Sequence, residues 1–234
     1  MKTRFFIPVM FALATAFTSC SVENGRGAEE LSLSYDFAKS YQGWSFDMAD
    51  YNAGQEQAIE FACKYTRLPQ PLNTEKSALL LSANNVGGDL FFFIKNQVTG
   101  LIPNTKYLVD FQLELASNVP SQASSNGVSA KDVFVKVGAT TQEPKKVQTG
   151  SRFQMNIDKG DGKNDGMDMK NVGDIDNGTN QTIFSTFYRN SFNKSVEVET
   201  DEAGNIWLSI GFDSSFPSRT TLFISNIKVG VYAM

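Results

Sequence analysis

Residues 107–115 read Tyr-Leu-Val-Asp-Phe-Gln-Leu-Glu-Leu. In an extended chain Tyr107, Val109, Phe111, Leu113 and Leu115 share one face, and Leu108, Asp110, Gln112 and Glu114 share the other. A period of two belongs to a strand with one buried side, whereas a helix repeats every 3.6 residues. The same alternation recurs in "LSLSYDF", "VFVKV", "RFQMNI", "SVEVE" and "NIWLSIGF". Clusters of Gly, Asn, Pro and Ser separate these runs. No long stretch keeps a helical period, and no internal repeat is visible. This pattern predicts an all-β chain folded as an antiparallel β-sandwich or jelly roll.

The N-terminus follows a different rule. Lys2 and Arg4 precede an apolar run from Phe5 to Phe17, and small residues follow up to Cys20. A charged start, a short apolar run and a small-residue zone form a secretory signal peptide. The run is shorter than the roughly 20 apolar residues that a membrane-spanning helix needs. The tetrapeptide Phe17-Thr18-Ser19-Cys20 resembles the relaxed lipobox of bacterial lipoproteins, those of Bacteroidota in particular, although Phe17 stands where Leu or Val is usual. The resemblance implies that residues 1–19 are removed and that Cys20 carries a lipid. The protein would then sit in the cell envelope as a membrane-anchored chain. The competing expectation is plain secretion, with cleavage after Ala14-Thr15-Ala16. Residues 20–30 are polar and read as a tether. Residues 31–234 are long enough for one large β domain.

Composition removes several chemistries. The chain has no histidine, so Ser-His-Asp and Cys-His catalysis and histidine-ligated zinc are excluded. The net charge is −4, and loss of Lys2 and Arg4 makes it more negative. That balance argues against a nucleic-acid partner, which calls for a basic patch. Of the two cysteines, Cys63 lies in "IEFACKY", alternating with Phe61 and Tyr65, and reads as a buried inert thiol.

Three landmarks carry a further resemblance. "YDFAKSYQGW", "VTGLIPNTKYLVDFQLELAS" and "TLFISNIKVGVY" are similar to the opening, central and closing strands of jelly-roll carbohydrate-binding modules with the galactose-binding-like fold. Pro103-Asn104 suits a type I turn before the central strand. The resemblance implies that topology over residues 31–234 and no function by itself. A set of uncharacterised bacterial lipoproteins is similar in "SANNVGGDLFFFIK" and "NIDKG" as well.

Jelly-roll modules of this kind often hold a structural calcium, and the stretch Asp158–Gly178 is rich in Asp and Gly. "DGKNDG" (161–166) matches the start of an EF-hand loop, but Lys163 takes the third ligand position and Val172 takes the twelfth. Lysine opposes a cation, so no cofactor or metal is the favoured expectation and the stretch reads as an acidic surface loop; a structural calcium is the alternative, with Asp174 and Asp176 as further carboxylates.

The candidate ligand face comes from aromatics out of phase with the core. Ile206, Leu208, Ile210 and Phe212 form an inward row, which leaves Trp207 pointing the other way. Trp207 with Asp110, Gln112 and Glu114 would suit a sugar, since rings stack on C–H faces and polar groups bond hydroxyls. Phe91 and Phe93 join this list, although a run apolar on both faces favours burial on both. In that case a loop such as Ser117–Ala130 would cover them. The resulting expectation is a non-catalytic envelope lipoprotein that binds glycan. The alternative is a structural or adhesive lipoprotein, or an accessory subunit, that binds protein. A glycosidase ranks third, because Asp110 and Glu114 lie on one strand with no facing carboxylate in view.

Overall fold

The structure of the protein, a computed structural model, describes residues 29–122, 124–125, 128–129 and 131–234. The expected leader and Cys20 lie outside the described residues. In chain order the strands begin with β1 (Glu29–Asp36), β2 (Ser45–Ala49), β3 (Tyr51–Asn52), β4 (Ala62–Arg67), β5 (Ser77–Asn84) and β6 (Leu90–Val98). They continue with β7 (Lys106–Ser117), β8 (Ser124–Ser125), β9 (Val128–Ser129), β10 (Val133–Thr140), β11 (Lys146–Thr149) and β12 (Arg152–Met155). The last are β13 (Met169–Asp174), β14 (Ser185–Asn190), β15 (Val196–Glu199), β16 (Ile206–Ser214) and β17 (Arg219–Ala233). One helical turn, α1 (Glu56–Ile59), interrupts them.

Two antiparallel sheets face each other. The first has the order β14-β7-β17-β5-β4, with β1 added beside β17 and β15 beside β7. The second has the order β13-β10-β16-β6-β2. The chain passes from β5 in the first sheet to β6 in the second, back to β7, and later from β16 to β17, so the fold is an antiparallel β-sandwich of jelly-roll type. The core lies between the sheets. It takes Tyr107 to Leu115 in alternation from β7, and Ile206, Leu208, Ile210 and Phe212 from β16, as their period requires.

β17 does not keep one phase. Leu222 and Ile224 face the core, and so do Ile227, Val229 and Val231. A β-bulge between Ile224 and Asn226 inserts Ser225 opposite β7 and restores the inward phase. At the same point β17 changes partner. It pairs with β5 up to Ile224 and with β1 from Asn226 onward. The Phe37 N–H bonds the Ser225 carbonyl at 3.0 Å at the junction. The turn before β7 departs from expectation. Asn104 stands at φ 51°, in the left-handed region that a type II turn demands and a type I turn does not use.

The outer side of the second sheet is covered. Phe91 and Phe93 stack on each other at 5.6 Å and form a second small core with Ile157 and Met169. The burial that their two-faced run favours is therefore observed, but the cover comes from the excursion between β10 and β13, not from Ser117–Ala130. That excursion carries β11 and β12, which pair with each other, and β12 pairs with β3 to complete a small third sheet. The expected acidic loop is partly a strand as well, since Met169–Asp174 pairs with β10 along the sheet edge. Gly211 lies opposite Phe93 and beneath Phe91, and a Cβ there would overlap the Cζ edge of the Phe91 ring. We expect Gly211→Ala to destabilise the fold by about 1–3 kcal/mol through overpacking. Urea unfolding of the variant, with Phe91→Leu as a compensating second change, measures this.

Candidate functional site

The stretch that resembles a calcium loop folds around the protein's own ammonium groups. The fully buried Lys136 Nζ donates to the carbonyls of Lys159 (3.1 Å) and Asn164 (2.5 Å). The aspartates bond backbone N–H groups instead of pointing at a common centre. Asp158 accepts from Gly160 and Met167, and Asp165 accepts from Asn171. The Met167 and Gly160 N–H groups hold the Asp158 carboxyl below its ordinary range.

A second cluster lies beside it. Ligand oxygens of Asp50, Asp89 and Asp213 fall within 4.8 Å of one another, close enough to hold a cation by distance alone. The donor set does not fit one. Lys159 Nζ sits 3.0 Å from Asp50 and 2.9 Å from Asp213, and Arg152 pairs with Asp89. Burial opposes the charge on Lys159, but Asp213 and Asp50 outweigh it and hold the ammonium above the usual lysine range. The acids are neutralised from within. On Cys63, burial pushes the thiol up to about 12, which leaves it a poor nucleophile.

The ligand face expected from sequence does not assemble. Trp207 and the row Asp110, Gln112 and Glu114 both point away from the shared core. They sit on different sheets, so they emerge on opposite outer faces of the sandwich. Trp207 is half-buried, with the Lys95 ammonium 5.7 Å from its ring centroid. That ammonium is held by Glu143 and by the Pro144 carbonyl. Asp110 is 2% exposed and accepts a 2.6 Å bond from Ser195 Oγ, under the turn that links β14 to β15. Phe91 and Phe93 are fully buried. Gln112 and Glu114, themselves half-buried, remain together on one face.

That face is the outer side of the first sheet, and it brings other residues to them. Across β14, β7, β17 and β1 the register places Tyr188, Glu114, Asn226 and Asp36 in one row. The next row holds Asn190, Gln112, Lys228 and Ser34. Gln112, Glu114, Tyr188, Asn226 and Lys228 line a cavity of about 320 Å³. Tyr188 is 58% exposed, because its neighbour Phe187 takes the core side. Among the described residues, Gln112, Glu114, Asn226 and Lys228 spend no side-chain hydrogen bond or ion pair on the protein. Their donors and acceptors face outward beside a bare ring. Sequence reading passed over Tyr188, Asn226 and Lys228. The alternation Phe187/Tyr188 was legible. The pairing of β14 and β17 with β7 was not, nor was the bulge that turns Asn226 and Lys228 outward.

No protein-family model matches the chain, and no curated protein matches it. Solved structures with some similarity include the enzymatically active domain of tailspike protein 4 of Bacteriophage CBA120, at TM-score 0.37 and 10% identity. The match covers 81% of this chain and only 19% of the tailspike chain. The xylan-binding domain CBM22-1 of Paenibacillus barcinonensis Xyn10C matches at TM-score 0.39 and 10% identity, over 85% of this chain and 92% of that one. A mannan-recognising carbohydrate-binding module, TmCBM27, matches at TM-score 0.38 and 14% identity, over 87% and 99% of the two chains. At these scores the likeness assigns neither a family nor a ligand.

The internal ammonium groups predict indifference to chelation. Metal that binds only the folded state raises its stability by mass action. We expect EDTA to leave the melting temperature unchanged and added calcium to leave it unchanged too. Differential scanning fluorimetry with and without each checks this.

Proposed function

We propose that the protein binds glycan without hydrolysing it, on the outer face of the first sheet. The observation that carries this reading is an exposed tyrosine ring beside four polar side chains with unspent hydrogen-bonding capacity. A pyranose presents apolar C–H faces and hydroxyls that both donate and accept. Tyr188 supplies the flat surface. Gln112 and Asn226 can do either job, Glu114 only accepts, and Lys228 only donates. The polar groups stand on neighbouring strands about 4.8 Å apart, so rigid backbone ladders space them. Asp110, the other acid of the β7 row, is buried and bonded to Ser195, and Asp36, at the far end of the Glu114 row, accepts from the Ala38 N–H and pairs with Lys39, so no unengaged carboxylate faces Glu114. That supports binding over glycoside hydrolysis, which needs two flanking carboxyl groups.

In this proposal Cys20 is lipidated and the stretch from there to the start of β1 at Glu29 tethers the domain to the envelope, with the signal peptide 1–19 removed. The acidic balance supplies no attraction to anionic lipid, so the anchor alone would hold the protein at the membrane.

One feature favours the second reading, a protein-binding adhesive or accessory role. Along the side of the sandwich where β2 and β4 end their sheets, Phe46 is 46% exposed and packs on Phe61 at 6.0 Å. Tyr41 and Tyr65 are also exposed there and lie 6.3 Å apart. An apolar stripe of this kind suits a protein surface.

Two outcomes are expected. Tyr188→Ala should lower glycan affinity by about 2 kcal/mol or more, as loss of a hot-spot aromatic does. Its melting temperature should barely move, since the ring is mostly in water. Glycan-array screening followed by affinity electrophoresis measures the first and calorimetry the second. Retention of glycan by Tyr188→Ala would move the site elsewhere. Separately, wild type should take up labelled palmitate and partition into membranes, and Cys20→Ala should do neither. A soluble wild-type product beginning near Thr15–Thr18 would leave plain secretion as the answer.

A further inference from the structure

We infer that Tyr232, laid over Gly230, is a second stacking platform on this face, so that the site takes a run of several sugars rather than one terminal residue. This rests on the glycan reading above. Gly230 sits inside β17, where glycine weakens a strand and often marks a close approach. No left-handed backbone angle accounts for it, since Gly230 is not among the residues with positive φ. Space accounts for it. A Cβ on Gly230 would lie 2.7 Å from the Tyr232 hydroxyl oxygen and 2.9 Å from the ring. The Tyr232 side chain therefore lies back along the sheet, with one side against Gly230, and is half-buried.

The two tyrosines bracket the polar rows. Tyr188 on β14 is level with Asn226 on β17, through Glu114. The Tyr232 ring lies over Gly230, four residues further along β17. Two strand spacings across and four residues along give roughly 16 Å between these positions. Gln112 and Lys228 stand opposite each other on the diagonal between them. Of the register partners of Gly230, Ser32 is small and Asp110 is held down by Ser195 under the β14–β15 turn, so neither side chain stands up against the Tyr232 ring. One pyranose cannot touch both tyrosines. A chain of several units can, stacking near each end and meeting Gln112 and Lys228 in the middle.

The test uses the full chain in detergent with cello-, manno- and xylo-oligosaccharides from disaccharide to hexaose, in the series that the array selects. Wild-type affinity should rise with length until the diagonal is spanned. Tyr232→Ala should lower affinity for the longest oligosaccharide about tenfold or more and leave the disaccharide unchanged. Gly230→Ala, which displaces the ring, should reproduce this loss, while Tyr232→Phe should retain binding. If Gly230→Ala fails to fold, the Tyr232 pair still decides. Length-independent wild-type affinity, or full binding by Tyr232→Ala, overturns this inference and leaves the Tyr188 site standing. A wild type that retains no glycan at all overturns both.

Discussion

The β-bulge at Ser225 is the point on which the rest of the molecule turns. β7 and β17 form the long central ladder of the first sheet, and every strand of that sheet except β4 pairs with one of them. Without the extra residue, the phase set by Leu222 and Ile224 would carry Asn226 and Lys228 into the core. With it, Ile227, Val229 and Val231 take the inside, and the polar residues reach the outer face. Side-chain direction alternates residue by residue, so a shift of one position exchanges the whole set between core and solvent. At the bulge β17 also passes from β5 to β1, so the outer face at the level of the site is the four strands β14, β7, β17 and β1.

Buried charge is handled in one consistent way. The excursion between β10 and β13 brings carboxylates and backbone carbonyls over the second sheet, as a metal-binding loop would. Lysine ammonium groups take the central positions, Lys136 among the carbonyls and Lys159 among the carboxylates. An uncompensated buried charge costs several kcal/mol, so each of these groups depends on the other. The same excursion seals Phe91 and Phe93, and with them the outer side of the second sheet. The outer side of the second sheet is thus closed, while the first sheet keeps the stretch around Tyr188 and Lys228 open beside a smaller apolar cluster of Leu68, Ala78, Ala116 and Phe223.

The site was half legible. Gln112 and Glu114 stood out because their strand is long and strictly alternating, and the structure puts them where that alternation says. Asp110 stood out for the same reason, yet it is buried, because the β14–β15 turn lies over it. Trp207 was correctly placed opposite the β16 core row, but on the other sheet. Period distinguishes in from out for one strand. It does not say which sheet a strand joins, so two outward rows can belong to opposite sides of the molecule.

The sequence by itself determined the class of fold, the inward row of each long strand, the lack of histidine chemistry and the poor match to a calcium loop. These follow from residue type and spacing along the chain, which local geometry reads directly. Only the tertiary structure decided which outward rows meet, what covers Phe91 and Phe93, and that Tyr188, Asn226, Lys228 and Tyr232 share a face with Gln112 and Glu114. Those facts depend on pairings between strands far apart in the chain, such as β14 with β7 and β17 with β1. Such pairings are settled by burial of the whole apolar surface at once, and no single segment carries that information.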